Sequence, residues 1–257
     1  MGMGYSRVME CHLNEKMFGR PLAEKSTLEE IRQRFDQDVE RFSRLETGQQ
    51  AIVDAPLVLE LVAQCARRHL KPGDRMLDLG CGAGNFTLRV LQEVSPLECH
   101  LVDLSRPMLE RAQARIKETG VTTVTTHQMD LRRLDWAANS IDCILAGAVL
   151  HHLRDREDWR STFKRLHDWL KPGGRLYVAD FTIFDAPEVQ ELMWHRYGNH
   201  LESLGGAAYR EKVAAYIEKE DSPRSLPFQI ETLQHAGFSQ YDVLHRNGLN
   251  ACYFAIK

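Results

Sequence analysis

The stretch "MLDLGCGAGNF", residues 76–86, constrains the fold more than any other part of the chain. A short apolar run enters a loop carrying Gly80, Gly82 and Gly84, and a helix-forming segment follows from about Asn85 to Val94. Glycines are needed where a chain turns sharply and where a ligand must touch backbone. In open α/β sheets such a loop sits at the carboxyl end of a strand, where ligands bind.

The same alternation continues. "CHLVDL" reads as the next strand, and Ser105 caps a helix with Met108, Ala112 and Ile116 on its inner face. "VTTVTTHQMD" and "IDCILAG" read as further strands. Asp155 opens a helix with Trp159, Phe163, Leu166 and Leu170 inward, and "RLYVADF" is a strand again. Strands alternating with helices mean a mostly parallel, doubly wound sheet of the α/β class. "PFQIETLQHAGF" reads as a helix stopped by Gly237. The last two strands flank Asn247-Gly248, a hairpin signal that predicts an antiparallel edge.

Four regions are expected: a helical extension over 1–54, a core over 55–181, an inserted lid over 182–226, and a helix with hairpin over 227–257 that completes the sheet. The extension opens with Ser26-x-x-Glu29, a capping box. Leu28, Ile31, Phe35, Val39, Phe42 and Leu45 follow at helical spacing, and Gly48 ends that element. A second helix, starting at Asp54-Ala55-Pro56, is expected to turn Leu57, Val58, Leu61, Val62 and Cys65 inward. The lid carries Phe184, Met193, Trp194, Tyr197, Tyr209 and Tyr216, with His195 and His200 among them. Such aromatics either pack together or line an apolar pocket.

Composition excludes several classes. The net charge of -3 gives no global pull toward nucleic acid. The local basic set Arg154, Arg156, Arg160, Lys164 and Arg165 reads as a solvated helix face, with an RNA footprint as its alternative. The longest apolar run, Cys143 to Leu150, is far short of the roughly 18 residues of a membrane span. No signal peptide is visible, and the six cysteines form no C-x-x-C pair. They read as free thiols of a cytoplasmic protein.

The loop's chemistry narrows the ligand. A dinucleotide site of the G-x-G-x-x-G type needs glycine at position 85, where this chain has Asn85. Asp78, read as part of the loop, would repel a pyrophosphate and welcome an ammonium group. Asp103 lies 23 residues after Gly80, at a strand tip, where a carboxylate can accept both ribose hydroxyls. The implied ligand is an adenosine with a positively charged amino-acid end. His151, after the fourth strand, is the first candidate for proton transfer at neutral pH, with His152 beside it. His151 and His152 with Asp155 lack further ligands at a known metal spacing, so no metal is expected.

The motifs "DLGCGAGNF", "VDLSRPMLERA", "QMDLRRL", "VLHHL" and "LKPGGRLYVADF" resemble, in order, those of class I S-adenosylmethionine (SAM)-dependent methyltransferases. The likeness is strong over 55–181 and weaker to the C-terminus. It implies a sheet of order 3-2-1-4-5-7-6 with strand seven antiparallel. It implies that Gly80 and Gly82 approach the methionine part of SAM and that Asp103 binds the ribose. Leu104 and Met108 would pack around adenine, Asp130 and the Leu131 backbone would meet its amino edge, and Gly147 would lie near the methionyl group. A catalytic base is optional, because the sulfonium methyl is already electrophilic. The expected activity is methyl transfer to a small-molecule acceptor, with a homodimer compatible with the edge strand.

A narrower likeness, in "FDQDVERF" and the long insertion, is to the carboxy-SAM synthases. That family holds an extra carboxylate with a tyrosine and an arginine. Here Ala55 stands at the tyrosine position, and only Arg210 and Lys212 lie near the arginine's place, which favours ordinary SAM. Another non-methylating SAM enzyme, such as one catalysing an intramolecular cyclisation, and a SAM-binding partner protein without catalysis are the remaining alternatives.

Overall fold

The computed structural model describes residues 21–44, 49–120 and 123–257. The expectations for the first 20 residues, Leu45 and Gly48 lie outside the described residues. Seven strands form one sheet: β1 (Arg75–Leu79), β2 (Glu98–Asp103), β3 (Val124–Gln128), β4 (Ile141–Gly147), β5 (Leu170–Phe181), β6 (Gln240–Asn247) and β7 (Asn250–Ile256). Their order is β3-β2-β1-β4-β5-β7-β6. β7 runs antiparallel to both β5 and β6, while the pairs among β1 to β5 are parallel. The hairpin therefore inserts β7 inside the sheet. The outermost strand is β6, paired antiparallel with β7, so the sheet ends in the antiparallel hairpin that Asn247-Gly248 predicts. The seven residue pairs of β5 with β7, from Arg175↔Ile256 to Phe181↔Asn250, hold β7 in that place.

Alternation along each strand divides the core. Leu77, Leu79, Ile144, Ala146, Leu176 and Val178 face one side, where Trp159, Phe163 and Leu166 of α6 (Arg156–Trp169) and Leu226 and Leu233 of α8 (Leu226–Ala236) cover them. Met76, Leu101, Cys143, Leu145 and Tyr177 face the other, under α3 (Ala55–Arg67), α4 (Asn85–Glu93) and α5 (Arg106–Lys117). Each such fully buried side chain contributes about 1.5–3 kcal/mol. The inner face of α3 is Val58, Leu59, Val62, Ala63 and Ala66, whereas Leu57 is exposed. The predicted stripe is thus rotated: Val58 and Val62 pack inward as expected, joined by Leu59, Ala63 and Ala66.

The N-terminal extension contains α1 (Leu28–Gln37) and α2 (Val39–Ser43), broken at Asp38. Its capping box is Thr27 with Glu30, one residue beyond the Ser26 and Glu29 expected. The Ser26 backbone is used elsewhere: its N–H donates to Lys219 O at 3.0 Å and its carbonyl accepts from Arg154 Nη2 at 2.6 Å. Within the lid region lies α7 (Pro187–Glu220), broken at Gly205 and Gly206. The chain doubles back there, since the Arg210 guanidinium packs directly over Gly198. Phe181, Ile183, Tyr197, Leu201, Val213 and Ile217 form a third apolar cluster under α7.

Several basic residues considered as an RNA footprint are tied into the fold. Arg154 donates to the Glu220 carbonyl, and Arg165 to the carbonyls of Arg132 and Leu134. Arg156 sits 5.0 Å from the Phe228 ring centroid, and Lys164 pairs with Asp168. Among the described residues no helix is long and apolar enough to cross a membrane, and the five described cysteines are free thiols.

Asp155 is an N-cap: its Oδ1 accepts from Glu157 N at 2.9 Å and from Asp158 N at 2.8 Å. Asp155→Ala is expected to cost about 1 kcal/mol, read from the urea midpoint at unchanged slope.

Candidate functional site

The carboxyl ends of β1, β2, β3 and β4 surround a cavity of about 1080 Å³, its open mouth included. Asp78, Gly80, Gly82, Asp103, Leu104, Met108, Asp130, Leu131 and Gly147 all line it. These nine positions come from four strand tips and the segments after them. A parallel sheet brings such tips to one edge.

The loop is shaped by close approach. Gly80 has φ +61°, and a Cβ there would lie 2.4 Å from Val149 Cγ2. Gly82 N donates to Asp103 Oδ2 at 2.9 Å, and Ser105 N donates to Asp103 Oδ1 at 2.8 Å. The acid at the β2 tip thus grips the glycine loop and the start of α5 together. Burial pushes its carboxyl above the usual range, against the pull of these N–H donors. Asp130 is engaged by Arg132, whose Nε lies 2.9 Å from its Oδ2.

Asp78 belongs to β1 and not to the loop. It is 1% exposed, and its Oδ2 accepts from Thr87 Oγ1 at 2.7 Å. Its Oδ1 is buried with no hydrogen-bond partner among the described residues. Burial, reinforced by the charge of Asp103, pushes its carboxyl up to about 7 despite the Thr87 hydroxyl.

A second cavity of about 860 Å³ adjoins the first. Phe35, Phe42, Ile52, Ala148 and His152 line both. The apolar stripe of the N-terminal helices therefore faces these cavities more than the core. Tyr197 and Tyr216 from α7 line the second cavity, so the lid aromatics both pack together and wall it. His195 is at the surface beside Asn199, and His200 holds the Gln50 carbonyl at 2.9 Å. Arg210 pairs with Glu202 and lines neither cavity.

His151 and His152 form a short turn after β4 and also line the second cavity. His151 is held by Asp180: its N–H donates to Oδ2 at 2.9 Å, and its Nδ1 meets Oδ1. Burial opposes charging this ring, but the carboxylates of Asp180 and Asp221 outweigh it and raise His151 to about 9. Burial and the neighbouring His151 charge hold His152 below its ordinary value. Asp155, considered with them at the sequence level, is spent as the α6 cap.

Sequence reasoning missed Asp180, Asp221 and the tether at Asn85. Asp180 had a signal, a lone carboxylate inside the apolar strand "RLYVADF". Asp221 had none, since it follows a helix 70 residues after His151. Asn85, read only as a departure from glycine, donates to Phe42 O at 3.0 Å and accepts from Arg115 at 2.8 Å.

A family model described as a methyltransferase domain matches residues 76–174. The demethylmenaquinone methyltransferase of Corynebacterium glutamicum is 31% identical over 186 residues, 72% of each chain. The carboxy-S-adenosyl-L-methionine synthase of Aeromonas hydrophila is 26% identical over 238 residues, 90% of this chain and 91% of its own. A solved structure of a putative SAM-dependent methyltransferase from Methanococcus maripaludis has a TM-score of 0.58 at 16% identity. It covers 86% of this chain and 93% of its own, and this likeness concerns the fold alone.

Gly80→Ala is expected to destabilise the chain by about 2–4 kcal/mol, from left-handed backbone strain plus the clash with Val149. Adding Val149→Ala should recover the clash component and leave the strain. Additive losses in a double-mutant cycle of urea unfolding would contradict this packing account.

Proposed function

This chain belongs to the class I SAM-dependent methyltransferases, and from that premise we propose that it methylates a small-molecule acceptor held in the second cavity. The observation that carries the reading is the shared wall: one cavity fits the cofactor, and a second opens beside it across Phe35, Phe42, Ile52, Ala148 and His152.

SAM is the cofactor, and the first cavity suits it. Each Asp103 oxygen accepts one backbone N–H and keeps a lone pair for a ribose hydroxyl. The unpartnered Oδ1 of Asp78 suits a cationic donor such as the amino-acid end. Gly80 and Gly82 leave backbone bare beside it. We assign Leu104, Met108, Asp130, Leu131 and Gly147 to the same ligand. When bound, the cofactor supplies a sulfonium methyl that needs no further activation.

The protein's own contribution is then placement and dryness. The N-terminal helices line both cavities, α7 lines the second, and the two are stitched to each other. Arg34 Nε donates to Glu220 Oε1 at 2.9 Å, and Lys25 holds the backbone carbonyl of Asp221. We read 1–54 and 182–226 as the acceptor-binding parts and 55–181 with 227–257 as the cofactor-binding core. Orientation and exclusion of water are worth on the order of 7–11 kcal/mol in such a transfer. A proton lost by the acceptor has its polar destination in the cluster of His151, His152, Asp180 and Asp221. The free thiols fit a cytoplasmic setting.

A carboxylated donor is less well supported. Arg34 is committed to Glu220, Arg41 to Asp38 and Arg210 to Glu202, and Ala55 is buried at the start of α3. A silent binding protein is disfavoured by the volume of the second cavity. Incubation with SAM and panels of hydroxyl, amine and carbon acceptors, read by mass spectrometry, tests the proposal. S-adenosylhomocysteine should form only when an acceptor is present. Tight SAM uptake with no turnover across all panels would favour the silent reading.

Asp103→Ala should weaken SAM binding by about 10²-fold, since two charge-assisted hydrogen bonds are at stake. Calorimetric affinity equal to that of the parent would refute the assignment. Asp78 supplies a pH test. Its raised value means the folded, ligand-free chain keeps a proton that the unfolded chain has lost between about pH 4 and 7. Its contribution to stability therefore falls as pH rises through that window. A cationic ligand needs the carboxylate, so SAM should bind several-fold tighter at pH 7.5 than at pH 6, with proton release. Asp78→Asn should flatten that dependence.

A further inference from the structure

We propose that His151, His152 and Asp221 form a site for one divalent metal ion of the zinc class in the wall of the second cavity. Three observations carry this inference. The ligand atoms of these residues all lie within 4.8 Å of one another. Asp221 Oδ1 is 3.3 Å from His152 Nδ1 and 3.8 Å from His151 Nε2. A tetrahedral ion with bonds of about 2.0–2.1 Å sets its ligand atoms roughly 3.4 Å apart. The donors therefore need only small shifts to close on one ion.

The second observation is a pair of orphaned atoms. Asp221 is 3% exposed, and its Oδ1 has no hydrogen-bond partner among the described residues. The same is true of His152 Nδ1, which faces it at 3.3 Å without hydrogen-bond geometry. The nearest arginine and lysine do not serve the Asp221 carboxylate, whose Oδ1 faces the two imidazoles. Arg34 is bound to Glu220, and Lys25 to the carbonyls of Glu218 and Asp221. A buried carboxylate oxygen left this way is costly unless something cationic meets it.

The third is the support behind the donors. Asp180 grips His151 through both Nδ1 and the backbone N–H, which leaves Nε2 as the ring atom that can take a metal in exchange for its proton. A carboxylate behind a ligating imidazole is the usual outer partner of a protein-bound metal. The backbone is fixed as well: Asp221 N donates to Ile217 O at 2.9 Å, and Ser222 N donates to His151 O at 2.7 Å. Two imidazoles and one carboxylate make a three-ligand set that leaves a fourth position open. His151, His152 and Asp221 all border the second cavity. If the proposed function holds, the open position belongs to an oxygen or nitrogen group of the acceptor, and the metal is what draws its proton away.

The test loads the full-length protein with Zn²⁺ or Co²⁺, removes excess ion, and measures bound metal by mass spectrometry. SAM affinity is measured calorimetrically on the same samples. One equivalent of zinc, and a visible absorption band typical of tetrahedral cobalt, are expected for the parent. Asp221→Asn and His152→Gln should each lose at least about tenfold in metal affinity. Asp155→Ala should lose none. Parent protein that binds SAM but retains no metal and shows no cobalt band overturns the metal site and leaves the proposed function standing. Undiminished metal affinity in both folded variants overturns it too. Metal uptake without SAM binding would instead sink the proposed function while keeping the site. The cobalt band of the parent decides the matter even where a variant does not fold.

Discussion

The backbone of the glycine loop and the carboxylate of Asp103 hold each other, and the rest of the site depends on that contact. The carboxylate accepts from Gly82 and from Ser105, so one side chain fixes the loop after β1 and the start of α5. Both must stand at the sheet's edge for a cavity to exist between them. Val149 closes in on Gly80 from the third side, so that no side chain can stand there. The crevice presents bare backbone beside a buried acid.

The second cavity is made by a different device. The sheet supplies only its floor, from Ala179, Asp180, Phe181, Asn250 and Ala251. The cavity lies where the N-terminal helices and the broken helix α7 meet over the tips of β4 and β5. Those two covers are joined by polar contacts at one end of α7, from Arg34, Lys25 and Arg154 to Glu220, Asp221 and neighbouring carbonyls. The same junction places Asp221 beside His151 and His152. Cover and chemistry are thus linked: the segment that closes the cavity also delivers the carboxylate that faces the histidines.

The core fold and the first cavity were legible because their signals are local. Glycine spacing, strand alternation and an acid at a strand tip each report on a few neighbouring residues, and a parallel sheet brings all its strand tips to one edge. Errors there were small and have simple causes. Asp78 stands in the strand because β1 continues through Leu79, so the loop begins only at Gly80. The capping box slid from Ser26 to Thr27 because the Ser26 backbone is drawn into contacts with Lys219 and Arg154. The buried face of α3 is shifted toward Leu59, Ala63 and Ala66, which touch the core that Leu57 does not reach.

The sequence by itself determined the sheet, the ligand edge and the class of cofactor, since these follow from periodicity and from residue types at short spacing. Only the tertiary structure decided what surrounds the histidines. Asp180, on the next strand, and Asp221, at the far end of the lid, reach them through packing that no local pattern encodes. The aromatic helices show the same division: the pattern established an apolar face, and the fold decided that the face lines a cavity. Contacts between distant segments depend on how layers stack, and that is a property of the whole chain rather than of any stretch within it.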